Sequence, residues 1–440
     1  MLIYSHTVTP RLLYITRFII GEITDIPFQI TTDIKEYTDF IGAKINYSQQ
    51  QIDQTEIWIK PAALLFETNI KEHIISCEIK NGYKIFYNTG GDFDFDLFAA
   101  SFYLLSRYEE YLPHIEDMYG RYAHENSLAY REGFLHQPLV NIWMKDFRLL
   151  FAERFPLLPL RNPRFVFIPT YDIDMAWSYK HKGFIRNTGG LIKDLMKGNL
   201  PGVKDRLAVL TNFKDDPYAS FEWLHKLHEA YRLQPVYFFL MALDNGLYDK
   251  NINPGLPAMQ LLIKKHAERY LLGIHPSWKS KDNKVCITAE KEILENIIHQ
   301  KIIYSRQHYV RFHLPGTYRL LQEIGIKHDY SMGYGSINGF RASVASPYVW
   351  YDLEKEQQTN LLLHPFCFMD ANAFYEQKFS PTDALYELRS FTQQLQQYGG
   401  SLITIWHNNF LGTDPRFKGW KEIYQQWITE IKGDVNPQTI

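Results

Sequence analysis

Apolar runs alternate with helix-forming segments along the second part of the chain. Arg164–Thr170 and Pro235–Leu240 are apolar on both faces, as buried strands of a parallel sheet are. Apolar residues at helical spacing predict helices between such strands. Strands that alternate with helices indicate βαβ units. The remaining predicted strands are Tyr270–Ile274, Thr359–Phe368 and Ser401–Trp406. The predicted helices are Ala258–Tyr270 and Thr288–Ile302.

The first part of the chain has a different pattern. Ile57–Ile59 and Ile85–Tyr87 predict short strands, and Asp96–Leu112 has helical spacing with Asp94 or Asp96 as its cap. Pro156–Pro163 is rich in proline and is the natural linker. We therefore expect an α+β domain of unknown role at residues 1–160 and a second domain at residues 161–440.

Polar side chains follow the predicted strands at their carboxyl ends. In an α/β barrel these ends meet on one face, where sites are built. Residues far apart in sequence could therefore share one pocket. The residues in question are Asp172, Asp174, His275, Arg306, His308, Asp370 and His407.

Composition narrows the class of protein. The chain has 440 residues, 45% of them hydrophobic, and a formal net charge of -2, so nothing favours a nucleic-acid partner. No apolar stretch is long enough for a transmembrane helix, and the N-terminus does not resemble a signal peptide, so a cytoplasmic protein is expected. Three widely spaced cysteines argue against a disulfide scaffold and a thiolate zinc site.

Each polar feature has a functional and an ordinary interpretation. Asp172 and Asp174 could share a metal or an arginine, or form a solvated turn or helix cap. His275 and His407 could be a ligand and a general acid, or satisfied histidines. Arg306 could hold a carboxylate, or form an ordinary salt bridge. The shared placement at strand ends, more than any one residue, favours a site.

At these residues the chain resembles the polysaccharide deacetylases, carbohydrate esterase family 4, over about residues 164–411. Thr170–Asp174 is similar to the family's Thr-Phe-Asp-Asp motif, and His275–Ser277 to its histidine motif. Arg306–Arg311 looks like the Arg-x-Pro-Tyr-Gly motif, and Ile405–His407 matches the closing Leu-x-His. The resemblance implies a distorted (β/α) barrel behind the N-terminal α+β domain.

The N-terminal part looks like the uncharacterised domain that precedes some bacterial members. Ser106–Glu110 and Gly120–Arg121 carry this second resemblance, which implies no chemistry.

The chain departs from the family pattern in its metal motif. The family has His-x-x-x-His, but Lys279 stands four residues after His275, and an ammonium group cannot be a ligand. His308, where the family has proline, either replaces the missing ligand or orients Asp172 or binds substrate. Val310 stands where the family has glycine.

The resemblance implies a metal-dependent hydrolase that removes an N-acetyl or related acyl group from a sugar, in bacterial surface polysaccharide metabolism. Asp174, His275 and His308 would hold a divalent metal. Zinc is the expected metal, and cobalt and nickel are the alternatives. Asp172 would be the base, paired with Arg306, and peptide N–H groups near His308 and Tyr309 would stabilise the oxyanion. His407 would be the acid, tuned by Asp370. The residues that would contact the saccharide are Ser277, Trp278, Tyr309 and Trp406.

Two other functions fit the same residues. Lys279 at a ligand position would suit a catalytically inactive protein that binds a glycan or a protein partner. A metal-dependent amidase acting on a non-sugar amide would use the same site.

Overall fold

The computed structural model describes residues 1–433. Its N-terminal part contains a four-stranded parallel sheet in the order β2-β1-β3-β4 and an antiparallel hairpin, β5-β6. The strands are β1 Leu2–Ser5, β2 Gln29–Thr31, β3 Lys44–Tyr47, β4 Ile57–Trp58, β5 Glu78–Lys80 and β6 Tyr83–Ile85. The helices are α1 Pro10–Ile23, α2 Ile34–Asp39, α3 Leu97–Leu105, α4 Leu128–Arg131 and α5 Leu139–Arg154.

The remaining strands form one nine-stranded sheet in the order β12-β13-β11-β10-β9-β8-β7-β15-β14. All its pairs are parallel except β12-β13. The strands are β7 Phe165–Ile173, β8 Val236–Leu240, β9 Leu271–His275, β10 Tyr304–Ser305, β11 His328–Asp329, β12 Tyr348–Asp352, β13 Gln357–Leu363, β14 Phe368–Met369 and β15 Gly400–His407. The helices are α6 Gly183–Met196, α7 Leu200–Leu210, α8 Phe221–Tyr231, α9 Pro257–Ala267, α10 Lys284–Ile298, α11 Gly316–Glu323, α12 Pro381–Tyr398 and α13 Trp420–Lys432.

The predicted βαβ arrangement is confirmed, but the sheet of the predicted distorted (β/α) barrel does not close among residues 1–433. The two ends of the parallel run, β13 and β14, do not pair. Only residues 364–367 join them, whereas a parallel pair needs a crossover of roughly a dozen residues. The sheet is therefore open between these strands.

Two predicted elements differ from the observed ones for local reasons. The predicted strand Thr359–Phe368 is divided into β13 and β14, and Pro365, which lacks an N–H group for a ladder, lies between them. The predicted helix Asp96–Leu112 ends as α3 at Leu105, because Arg107 adopts a left-handed φ of 53°. Asp96 caps α3 through Ala99 N–H, as predicted.

A buried network of ion pairs joins the N-terminal part to the nine-stranded sheet region. The Arg341 guanidinium donates two hydrogen bonds to Glu110, at 2.8 and 2.6 Å, and Arg107 Nε donates a third, at 2.6 Å. Burial alone would raise the pKa of Glu110, but the two arginines lower it to about 2. The Ser106–Glu110 motif of the sequence therefore holds the two parts together.

Regular structure stops at Arg154 and resumes at Phe165, on either side of the predicted boundary at residue 160. Within residues 1–433, no helix combines the length and the apolar character needed to cross a bilayer.

Candidate functional site

A cavity of about 570 Å³ lies at the carboxyl ends of the parallel strands. Asp172 is the second-last residue of β7, and Asp174 comes directly after this strand. β9 ends at His275. β15 ends at His407, and His308 follows β10. The strand-end pattern thus brings these side chains to one place. The predicted site residues that line the cavity are Asp172, Asp174, His275, His308, Tyr309 and His407.

Asp174, His275 and His308 form a cluster at the floor of the cavity. One potential ligand atom from each lies within 4.8 Å of the other two. His275 Nε2 is 3.2 Å from Asp174 Oδ1, and His308 Nε2 is 3.5 Å from Asp174 Oδ2. Two imidazoles and a carboxylate are ligand types that suit zinc and related first-row metals.

The outer nitrogens of both imidazoles are held by acceptors. His275 Nδ1 lies 2.6 Å from the Arg306 carbonyl oxygen, and His308 Nδ1 lies 2.9 Å from Asp249 Oδ1. A carbonyl oxygen can only accept, so His275 Nδ1 carries a hydrogen and Nε2 is the nitrogen that faces Asp174. This is the arrangement that orients metal-ligating histidines in proteins.

The charges of the cluster also fit a cation. Burial alone would lower the pKa of His308, but Asp174 and Asp249 raise it to about 9. Burial alone would raise the pKa of Asp174, but His308, His275 and His407 bring it well below its usual value. Asp174 Oδ1 is buried and has no hydrogen-bond partner among the described residues. A divalent ion would satisfy this oxygen and replace the proton on His308.

Lys279, the departure from the family pattern, does not enter the cluster. Its side chain is 55% exposed, and its ammonium is 3.6 Å from Asp244, which is itself exposed. His308 occupies the third position of the cluster instead. The geometry thus places His308 where the ligand hypothesis requires it.

Asp172 is paired with Arg306, as the sequence predicts. Arg306 Nη1 donates to Asp172 Oδ1 at 2.8 Å, and its Nε donates to the Tyr330 carbonyl. The guanidinium lies 4.4 Å from the Phe238 ring centroid. A side chain at Gly273 would collide with that ring, at 2.5 Å, so this glycine allows Phe238 to support the arginine. Asp172 Oδ2 lies 3.7 Å from His275 Nε2, on the cavity side.

His407 and Asp370 form a second pair on the other side of Asp174. Asp370 Oδ1 is 2.6 Å from His407 Nδ1, and Asp370 Oδ2 accepts the His407 N–H at 2.7 Å. His407 Nε2 then faces Asp174 Oδ2, 3.6 Å away. Burial alone would lower the pKa of His407, but Asp370 outweighs it and raises the pKa to about 10. Asp370 therefore favours the protonated form of His407.

The peptide at Tyr309 and Val310 is held in an unusual conformation. Both residues have positive φ, 59° and 55°, although neither is glycine. Arg121 Nη1, from the N-terminal part, donates to the Tyr309 carbonyl at 2.8 Å. A side chain at Gly335 would overlap both Arg121 and the Tyr309 carbonyl oxygen. The Gly120–Arg121 motif therefore shapes the cavity wall.

Three of the predicted saccharide contacts do not lie at the cavity. Trp406 is fully buried and packs 4.5 Å from Tyr424, because its side chain points from β15 into the core, opposite to its neighbour His407. Ser277 is buried, and its N–H donates to Glu290. The roles predicted for Trp406 and Ser277 are therefore wrong.

Trp278 is near the cavity but has both ring faces covered. Tyr248 stacks on it with ring centroids 3.8 Å apart, and the Arg311 guanidinium lies 4.1 Å from its centroid. Groups this close cannot share one face. A sugar therefore cannot stack on Trp278, and the predicted stacking role is wrong.

The sequence pattern did not identify several side chains of the site. Asp249 holds His308, and Tyr119, Arg121 and Tyr248 line the cavity. Asp249 lies in the loop after β8, and the position of this loop at the carboxyl end of a buried strand is the signal that could have identified it. Nothing local marks Tyr119 and Arg121, because they belong to the other part of the chain.

A family model described as a family of unknown function, DUF7033, matches residues 1–156. No curated protein matches. Several solved structures overlap part of the chain loosely.

The first, from Mycobacterium smegmatis and described as a polysaccharide deacetylase, has a TM-score of 0.40 and 13% identity, covering 62% of this chain and 85% of that one. A similarly described protein from Pseudomonas aeruginosa PAO1 has a TM-score of 0.39 and 10% identity, covering 61% and 85%. The catalytic domain of a peptidoglycan N-acetylglucosamine deacetylase from Eubacterium rectale has a TM-score of 0.29 and 9% identity, covering 61% and 86%.

Proposed function

We propose that the protein is a metal-dependent hydrolase that removes an N-acetyl or related acyl group from a sugar or saccharide precursor. The observation that carries the proposal is the cluster of Asp174, His275 and His308, whose imidazoles are oriented by outer acceptors. On either side of it stand a carboxylate for a base and a protonated histidine for an acid, Asp172 and His407. Amide hydrolysis needs these three functions together.

Asp174, His275 and His308 would hold the metal, with zinc the best fit and cobalt or nickel as alternatives. When bound, such an ion lowers the pKa of a coordinated water and polarises the acyl oxygen. The protein holds the three ligand side chains in position.

Asp172 is proposed as the general base. The charge-assisted hydrogen bond from Arg306 Nη1 occupies its Oδ1. Its Oδ2, 3.7 Å from His275 Nε2, is left beside the metal cluster to accept the proton of the attacking water. Because Arg306 is buried and stacked on Phe238, the base is fixed in position.

His407 is proposed as the general acid. Asp370 holds its Nδ1, so the proton on Nε2 is directed into the cavity towards the departing amine. The peptide N–H of Tyr309 is proposed as a donor to the oxyanion. Arg121 holds the following peptide in place through the Tyr309 carbonyl oxygen. Tyr119, Tyr248 and Tyr309 replace the tryptophans as surfaces for the saccharide.

The first experiment is metal content and deacetylase activity of the purified full chain. We expect about one equivalent of a divalent metal, lost in both Asp174→Ala and His308→Ala. Asp215→Ala and His136→Ala, at side chains outside the cluster, are matched controls that keep the metal. Activity is measured as acetate released from a panel of small N-acetylated sugars.

The general-acid role of His407 is tested with two substrates that have different leaving groups. His407→Ala is expected to lose about 10²-fold or more on an N-acetylated sugar, whose amine must be protonated. On an aryl acetate, whose phenolate leaves unprotonated, the same variant should lose far less. Absence of metal after zinc, cobalt and nickel are added back would contradict the hydrolase proposal. An equal loss on both substrates would contradict only the role of His407.

A further inference from the structure

The helical hairpin formed by α6 and α7, residues 183–213, carries its apolar side chains on the outside. No residue of α6 is buried, and Val209 is the buried residue of α7. Phe184, Ile185 and Met196 are 84%, 86% and 84% exposed. The other exposed large apolar side chains of the hairpin are Ile192, Leu195, Leu200, Leu207, Leu210 and Phe213.

The polar side chains of the hairpin face one another instead. Arg206 of α7 donates to Asp194 of α6 at 2.9 Å and to Asn187 at 3.2 Å. Gly190 gives this arginine room, because a Cβ there would meet the guanidinium at 2.6 Å. The two helices therefore bind each other through polar contacts, and the large apolar side chains named above stay exposed among residues 1–433.

The exposed apolar residues of α6 lie on one side of the helix. Ile185, Ile192 and Met196 recur at the spacing that places residues on one helix face, and Phe184 and Leu195 lie beside them. A soluble helix normally turns such a stripe towards the core. A stripe of this kind turned to solvent, with basic residues on the flank, is the pattern of a helix that lies in a membrane interface.

The charge of the hairpin supports an anionic surface as its partner. The exposed basic side chains are Arg186, Lys193, Lys197 and Lys204. Of the acidic side chains, Asp194 is paired with Arg206 at 2.9 Å, and Asp205 is paired at 2.8 Å with Lys214, which directly follows the hairpin. The hairpin is thus locally basic, although the whole chain has a formal net charge of -2.

The hairpin also adjoins the cavity. Lys182 Nζ lies 3.0 Å from the sulfur of Met175, and Arg186 Nη2 is 3.5 Å from the Lys250 carbonyl oxygen. Met175 and Lys250 both line the cavity. A surface that covered the hairpin would therefore lie beside the cavity.

We propose that α6 and α7 dock the protein onto the surface of a lipid bilayer with anionic headgroups. The apolar stripe enters the interface, and the lysines contact the headgroups. The cavity is then held beside the membrane, where a lipid-linked saccharide would present its sugar. The docking itself does not depend on the hydrolase proposal, since it concerns different residues.

Vesicle co-sedimentation of the full chain tests the proposal. We expect binding to phosphatidylcholine vesicles that contain an equal amount of phosphatidylglycerol, and weaker binding as sodium chloride rises. Lys193→Glu with Lys197→Glu should lower the partition coefficient about tenfold or more, because each basic residue near the surface contributes. Lys264→Glu with Lys265→Glu, an exposed pair on α9, is the matched control and should bind like the wild type.

The apolar contribution is tested with Ile185→Ser and Met196→Ser together. This variant should lose binding at low salt as well, whereas Ile41→Ser with Ile74→Ser, two exposed residues elsewhere, should retain it. Circular dichroism and metal content confirm that each variant is folded. No binding of the wild type to anionic vesicles would overturn the proposal. So would a dimer in solution that dissociates in the Ile185/Met196 variant without vesicle binding, which would identify a second copy as the partner.

Discussion

At the residue scale, Asp249 decides which nitrogen of His308 faces Asp174 and His275. Its carboxylate accepts from His308 Nδ1 and also from the Trp278 N–H at 3.0 Å. Burial would raise the pKa of Asp249, but these two donors lower it, so the group is a carboxylate. A carboxylate behind a ligating histidine fixes the ring and raises its basicity.

We therefore expect Asp249→Asn to weaken zinc binding by about 10- to 100-fold. The measurement is a zinc dissociation constant from competition with a chelator, which requires no activity. Asp244→Asn is the matched control, because Asp244 is exposed and its ion-pair partner is Lys279, which lies outside the cluster. An unchanged dissociation constant in Asp249→Asn would show that His308 is positioned without it.

Other residue-scale predictions depended on which way a side chain points. Trp406 and His407 are neighbours on β15, yet one is in the core and the other is in the cavity. Strand alternation imposes this opposition, so the sequence could not assign both to the site. The aromatic wall is instead made of tyrosines from loops, which carry no periodic signal.

At the element scale, the segment from Glu116 to Tyr122 forms one wall of the cavity. These two residues pair as an antiparallel bridge, which closes the turn that carries Tyr119 and Arg121. Arg121 is anchored by Asp117 at 2.6 Å and reaches the Tyr309 carbonyl. The turn therefore supports the left-handed peptide at Tyr309.

Arg121→Ala should release that peptide. We expect a loss of about tenfold or more in kcat/KM, since a hydrogen bond from a charged donor contributes roughly 1.5–3 kcal/mol. Metal content should stay at the wild-type level, because Arg121 does not touch the metal cluster. Arg131→Ala, an exposed arginine of α4, should keep full activity. Full activity of Arg121→Ala would remove the N-terminal turn from the site.

At the scale of the whole molecule, Glu110 is the buried carboxylate that binds the N-terminal part to the sheet region through Arg341. Because its folded pKa of about 2 lies below its usual 4.5, ionised Glu110 contributes stability above pH 4.5. This contribution is lost as the pH falls from about 4.5 towards 2.

Glu110→Gln should lower the free energy of unfolding by about 3–5 kcal/mol near pH 7, because it leaves Arg341 buried without its partner. Denaturant titrations from pH 7 to 3 should show this difference shrinking below about pH 4.5. Glu109→Gln is the matched control at the neighbouring residue and should lower the free energy of unfolding by less. Burial raises the pKa of Glu109 despite Arg107, so its ionised form contributes less stability than that of Glu110. A constant difference across this pH range would contradict the assignment.

The sequence by itself determined the parallel α/β pattern and the strand ends that carry the candidate site. Apolar runs at β7, β8, β9 and β15 identify buried strands, because only strands covered on both faces are apolar throughout. Since parallel strands share one carboxyl edge, the polar residues after them had to converge.

The tertiary structure decided what depends on packing between distant segments. It left the sheet open at β13 and β14, placed His308 rather than residue 279 in the cluster, and supplied Asp249 behind it. It also brought Arg121 to the cavity across 188 positions of chain. These contacts are fixed by three-dimensional complementarity between segments, which local hydrophobic pattern does not encode.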